Sequence, residues 1–337
     1  VNALSNANVA ALKTAQVAAL TTTQVDGLST AAVTALTTSQ VKALTTAQMK
    51  ALSADQTAKL TTAQINALSG VQVAALDATD LAGLTAAKVQ AFSTAAVAAM
   101  TTAQVAALDT TQASSLTTAQ VRALTTAQVV ALTTTQAEKL GTAQLAALTS
   151  DQVKALETAD LAKLSTAQLR AIGTAAIGGL TTTQITALTT EQVSNLTDAQ
   201  IKALSADQTK GLAVDDLAKL TTAQVQAMSN ASLAALSTTQ VVSLTSDQLN
   251  SLTTAQIAVI TTTQIAVLNA GQLSNLGTTQ FKALSAAQLA AITTAQVANL
   301  STAQLSVITA AQVKGIETAD FAKLSTDQLA ALNTAAT

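Results

Sequence analysis

The sequence predicts an all-α fold, a solenoid of very short helices with one capped helix of one to two turns per eight-residue repeat, stacked into an elongated rod or superhelix. Three observations predict it. An apolar residue stands at every eighth position from Leu4 to Leu332. A Ser/Thr-x-x-Gln phrase follows it in most repeats. The composition is dominated by Ala, Thr, Leu, Gln and Val and has no Pro, and Ala, Leu and Gln favour helix.

The apolar column is Leu throughout, apart from Phe92, Met100, Ile172, Met228, Ile260, Ile292, Ile308 and Ile316. The residue after it is nearly always Ser, Thr, Asp, Asn or Gly, the set preferred at a helix N-cap. Gln follows at the spacing of a capping box, as in Thr45 and Gln48, Thr61 and Gln64, and Thr125 and Gln128. In that arrangement the cap hydroxyl accepts from the amide three residues on, and the Gln side chain reaches back to the cap amide. The column residue then falls just before the cap, and a second apolar residue falls at the fourth helical position. These are the two ends of a hydrophobic staple, filled by Leu44 and Met49 or by Leu124 and Val129, and Leu52 and Leu132 close the same two octads. The second column, Val9, Val17, Val25, Val33 and onward, is broken clearly at Thr57, Ala113, Ala137 and Thr209. The next cap arrives so soon that each helix has room for about one and a half turns.

Two other folds fail on period. In one long helix an eight-residue repeat drifts by about 80° each time, so its apolar stripe faces no partner. A β-solenoid needs alternation of period two, which L-T-T-A-Q-V-A-A lacks. Burying one Leu and one Val does not offset the ordering of eight residues, so a lone octad cannot fold and its neighbours must complete it. The register never slips, so residues 1–337 read as one continuous array of about 41 repeats, from 3 to 330. The chain opens at Val1 with neither Met nor a signal segment, and is expected to be a piece of something longer. VKALETADLAKLSTAQL at 153–169 returns as VKGIETADFAKLSTDQL at 313–329, and LSADQT at 52 returns at 204, as if whole blocks of octads had been copied.

The composition narrows function. There is no Cys and no His, which removes disulfides, thiolate metal sites and the commonest general base. No enzyme, cofactor or small-molecule substrate is expected. A net charge of -2 with scattered Lys and Arg, and only three aromatic residues, argues against nucleic acid as a partner. Mean hydropathy is +0.40, yet polar residues interrupt every apolar run, so no membrane insertion is expected.

Four octads carry Asp in the Gln place: Asp80, Asp160, Asp216 and Asp320. Asp77, Glu157 and Glu317 stand at the caps of three of them, and Asp215 adjoins the fourth. One reading is a weak Ca²⁺ site made from paired carboxylates. The simpler one places acids in a first helical turn, where the macrodipole favours them, with Lys163, Lys219 and Lys323 as partners three residues on. The Thr-Thr pairs, such as Thr21-Thr22 and Thr181-Thr182, form either a cap and its neighbour or a hydroxyl ladder. On the ladder reading a repeated Thr, Gln and Asp face would bind ice, glycan or Ca²⁺. Sequons at Asn195, Asn230 and Asn299 are ordinary in so Thr- and Ser-rich a chain.

Through LTTAQV, LSADQT and LTSDQV the chain resembles, over its whole length, the LTxxQ octapeptide arrays of large bacterial surface and secreted proteins of the adhesin or exoprotein type. The resemblance implies export, repetition and a structural role: a stiff extracellular stalk, sheath or filament at the cell surface. Low charge adds an expectation of self-association into fibres. The same phrase is similar to the helix starts of periplasmic LTxxQ stress chaperones, which carry few copies and a charged surface. This chain has over forty octads and few charges.

Overall fold

A computed structural model describes residues 5–335; Leu4, the first residue of the apolar column, lies outside them. Among the described residues there are 41 helices and no strand. All are four to six residues long except the last, Thr326–Ala335. Each of the others lies within a single octad. Thr45 caps Thr46–Lys50, with its hydroxyl accepting from the Gln48 amide, and the same bond recurs at Thr61 and Thr125.

The turn between helices uses no left-handed residue: no positive φ occurs among the described residues. Instead the column Leu goes extended. At the end of Thr38–Ala43, Leu44 has φ -60° and ψ 132°, its amide still held by Val41, and Thr45 follows at ψ 162°. Two extended residues in a row reverse the chain, so no octad needs Gly or Pro to stop its helix. This ending leaves the carbonyls of Lys42 and of the column residue Leu44 without main-chain partners in their own octad, and gives Val41 O only the Leu44 amide.

The structure divides into two compact units, Val1–Ala176 and Ile177–Thr337, and each is described by itself. In both, a helix packs chiefly against the third one along. In the first unit Gly70–Ala74 packs on Thr94–Ala99 and Thr14–Ala18 on Thr38–Ala43; in the second Ala206–Lys210 packs on Asn230–Ala235. Contact is close: a Cβ on Gly70 would lie 2.6 Å from that of Ala99. Within each unit the chain therefore winds as a solenoid that returns to itself after between three and four octads.

The two apolar columns line the inside. Met49 and Val129 are fully buried; Leu44, Leu52, Leu124 and Leu132 are exposed by no more than 6%. The breaks in the second column are buried as well. Ala113 and Ala137 simply fill less space. The Thr209 hydroxyl donates to Ser205 O at 2.9 Å, whereas the Thr57 hydroxyl has no partner. The Gln residues share this interior: Gln48, Gln64 and Gln128 are each 2% exposed.

Candidate functional site

The polar group that repeats through the interior is the Gln side chain, and its surroundings form a seat with two walls. One wall is the helix's own cap. The Thr45 amide donates to Gln48 Oε1 at 2.8 Å while the Gln48 amide donates to Thr45 Oγ1 at 3.2 Å. The other wall is one superhelical turn earlier. Gln48 Nε2 donates to the carbonyls of Val17 at 2.9 Å, Ala18 at 3.3 Å and Leu20 at 2.7 Å. Gln64 does the same to Val33, Thr34 and Leu36, and Gln128 to Val97, Ala98 and Met100. In the second unit Gln248 reaches Leu217 and Leu220.

The Ala18 and Leu20 carbonyls are ones that the helix ending strands, while Val17 O already accepts from the Leu20 amide at 3.2 Å. One amide thus caps the start of its own helix through oxygen and the end of an earlier helix through nitrogen. Glu satisfies the first wall equally well but has no donor for the second, which explains the choice of amide. Sequence reasoning placed the Gln at the cap and missed the second wall. The available signal was that every N3 acceptor long enough to span both walls is Gln and none is Glu.

A binding face built from Thr, Gln and Asp is therefore corrected in part. The Gln residues of the ladder point inward, and so do the Asp residues that replace them: Asp80, Asp160, Asp216 and Asp320 are 1–5% exposed. Threonines at the first helical position, such as Thr46, Thr62, Thr118 and Thr126, remain exposed. Their neighbours at the cap are already bonded.

The non-Gln octads show what the seat accepts. Ser232 Oγ donates to Leu204 O at 3.1 Å, to the same wall over a shorter reach. Lys88 sends its ammonium to Ala58 O. Asp216 keeps only the cap wall, accepting from the Ala213 amide at 3.0 Å. Asp80 Oδ2 and both Asp160 carboxylate oxygens are buried without any hydrogen-bond partner. Burial pushes the Asp80 carboxyl above its ordinary value, the Asp77 charge adds to this, and the Asp77 amide opposes it. Burial likewise raises Asp160; the Thr134 hydroxyl eases it, the Glu157 charge raises it and the Glu157 amide eases it, neither donor meeting hydrogen-bond geometry.

Lysine does not compensate these acids. Lys163, Lys219 and Lys323 stand exposed, and none reaches the Asp three residues before it, because that Asp turns inward and the Lys outward. The expectation of an i,i+3 partner is thereby overturned. Ion pairs do form on the surface, between Lys210 and Asp207 at 3.1 Å and between Lys139 and Glu138 at 3.2 Å. Asp77, Glu157, Asp215 and Glu317 are exposed, and among the described residues no three acidic side chains gather in one place. No helix among them is long and apolar enough to cross a membrane.

Eight stretches match a protein family described as the ALTTAQ repeat: 1–30, 25–54, 35–70, 73–110, 106–142, 153–190, 210–246 and 267–302, together well over half of the sequence. No curated protein matches the chain.

Proposed function

The chain belongs to the ALTTAQ repeat family, and from that premise we propose that it is a non-catalytic structural element, serving as a stalk, sheath or filament on the outside of a bacterial cell. The glutamine ladder carries the reading. The polar group that recurs inside the fold is engaged in tying one turn to the next, as in Gln48 with Val17 and Leu20, so the repeat is built to hold itself together. Each added octad extends the structure without a new interaction type, which suits a protein whose useful property is length. With 10% charged residues and a net charge of -2, little repulsion keeps copies apart. Side-by-side or end-to-end association into fibres follows as part of the proposal, and a chain that stays strictly monomeric at high concentration contradicts that part.

A second reading, a binding surface for glycan or ice, is favoured by the exposed threonines at the first helical position, whose hydroxyls the caps do not use. It predicts retention on glycan or thermal hysteresis, and lacks support if neither occurs. A periplasmic chaperone-like binder is the remaining alternative. Electron microscopy of the source cells with a gold-labelled antibody to the octads separates them. Label along surface fibres or a sheath is the expected outcome; label confined to the periplasm overturns the structural reading.

A further inference from the structure

The polar occupants of the seat that can donate do so into the carbonyl wall: Gln through Nε2, Ser232 through its hydroxyl, Lys88 through its ammonium. An ionised Asp has nothing to donate. At Asp160 the carbonyl wall lies, by the same register, at Val129, Val130 and Leu132, because the flanking Gln152 bonds Val121, Arg122 and Leu124. Here a carboxylate with two unpartnered oxygens, on a residue only 1% exposed, shares a buried seat with main-chain oxygens. Lone pairs on both sides call for a proton or a cation between them, and Lys88 shows that the wall accepts a cationic group.

A second observation concerns the cap. Asp109, which precedes a Gln, accepts from the Gln112 amide at 2.7 Å. Glu157 precedes an Asp and makes no cap bond; the Asp160 amide turns to the main-chain oxygen of Glu157 at 3.1 Å instead. Asp77 and Asp80 repeat the pattern. In each case the cap carboxylate is left free, beside the seat and open to solvent. One buried carboxylate, one free carboxylate and a wall of carbonyls form an all-oxygen donor set with two negative charges.

We propose that the Asp160 seat binds a divalent cation of the Ca²⁺ type, held by Asp160, Glu157 and the carbonyls of the preceding turn, and that Asp80 with Asp77 forms a second such seat. Calcium fits better than magnesium, since it takes six to eight oxygen ligands in flexible geometry at roughly 2.3–2.6 Å, while magnesium demands a near-ideal octahedron. Water entering beside the exposed Glu157 completes the shell. The bound ion does the task that Gln does elsewhere, joining a helix start to the helix end one turn earlier. A joint of this kind is set by the surrounding calcium level, whereas a Gln joint is permanent.

The test is equilibrium dialysis of the full chain against radioactive calcium at neutral pH, up to about 1 mM, the range of extracellular calcium modules. Asp160→Gln restores the residue that other octads carry, so the variant retains the fold, which circular dichroism verifies. The expected result is that the variant binds one calcium fewer than the natural chain and that Asp80→Gln/Asp160→Gln binds two fewer. Calcium is also expected to raise the melting temperature of the natural chain, and to raise that of the double variant less. A natural chain that retains no calcium, or a stoichiometry unchanged in Asp160→Gln, overturns the proposal. Neither result depends on where the protein resides.

Discussion

A single amide decides most of this structure. Gln128 meets the Thr125 amide with its oxygen and Val97, Ala98 and Met100 with its nitrogen, so exchanging that nitrogen for oxygen is the sharpest local perturbation available. Gln128→Glu keeps the size and the cap bond but turns the far end against carbonyls. Leaving buried groups unsatisfied costs about 1–3 kcal/mol and more where a charge is involved, so the variant is expected to lose at least about 2 kcal/mol in chemical denaturation at neutral pH. Loss of less than about 0.5 kcal/mol, the scale of an ordinary surface substitution, contradicts the second wall. The opposite sign is expected at Thr57, whose hydroxyl is buried without a partner where most octads have an aliphatic side chain. Thr57→Val removes the orphan at nearly constant volume and should stabilise by about 1 kcal/mol. Thr209→Val, which sacrifices the bond to Ser205 O, should gain less in the same melting experiment.

An octad has the instructions for a helix but not the means to keep one. Its cap, its staple and its extended Leu are all local, while its Gln needs carbonyls 28 to 31 residues earlier. A peptide of residues 41–64 contains three caps and no completed turn-to-turn bond, and should give the circular dichroism of a coil. Strong helicity in that peptide contradicts the account. The same division explains what could be read from the sequence. Thr45, Gln48, Leu44 and Met49 lie within one octad, so their spacing reveals cap and staple. The partners of Gln48 lie on another turn, at a separation fixed by how many octads close the superhelix, a packing property that no octad encodes. Asp160 was legible as an odd residue in the Gln place but not as a buried one. A capping box alone leaves its third position exposed on a surface helix, and only the second wall draws it inward.

Across the whole molecule the octads are interchangeable in kind, because each seat is defined by register and not by the identity of its partners. Gln40 begins the visible ladder at Val9, and Gln312 still reaches Leu284 by the same offset as Gln48 to Leu20. Removing one complete octad, residues 125–132, brings Gln136, Gln144 and Gln152 onto equivalent carbonyls one octad earlier and should leave the melting temperature within a few degrees. Removing four residues, 125–128, throws Gln136, Gln144 and Gln152 out of step, because their carbonyls precede the cut, and should disrupt the fold around it. Equal effects of the two deletions contradict a register-defined solenoid. This tolerance is consistent with the copied block at 153–169 and 313–329, since duplication in units of octads introduces no misfit.

The central claim, that the Gln amides are locked inside as ties between turns, is tested most directly by hydrogen exchange at the Gln side chains, followed by NMR on protein labelled with nitrogen-15 at glutamine. Gln16 and Gln24 serve as internal references, for both are exposed and use only their oxygens. Rapid exchange is expected of those two, and slow exchange of the side-chain amides of Gln48, Gln64 and Gln128. Exchange of all five at the rate of free amides contradicts it.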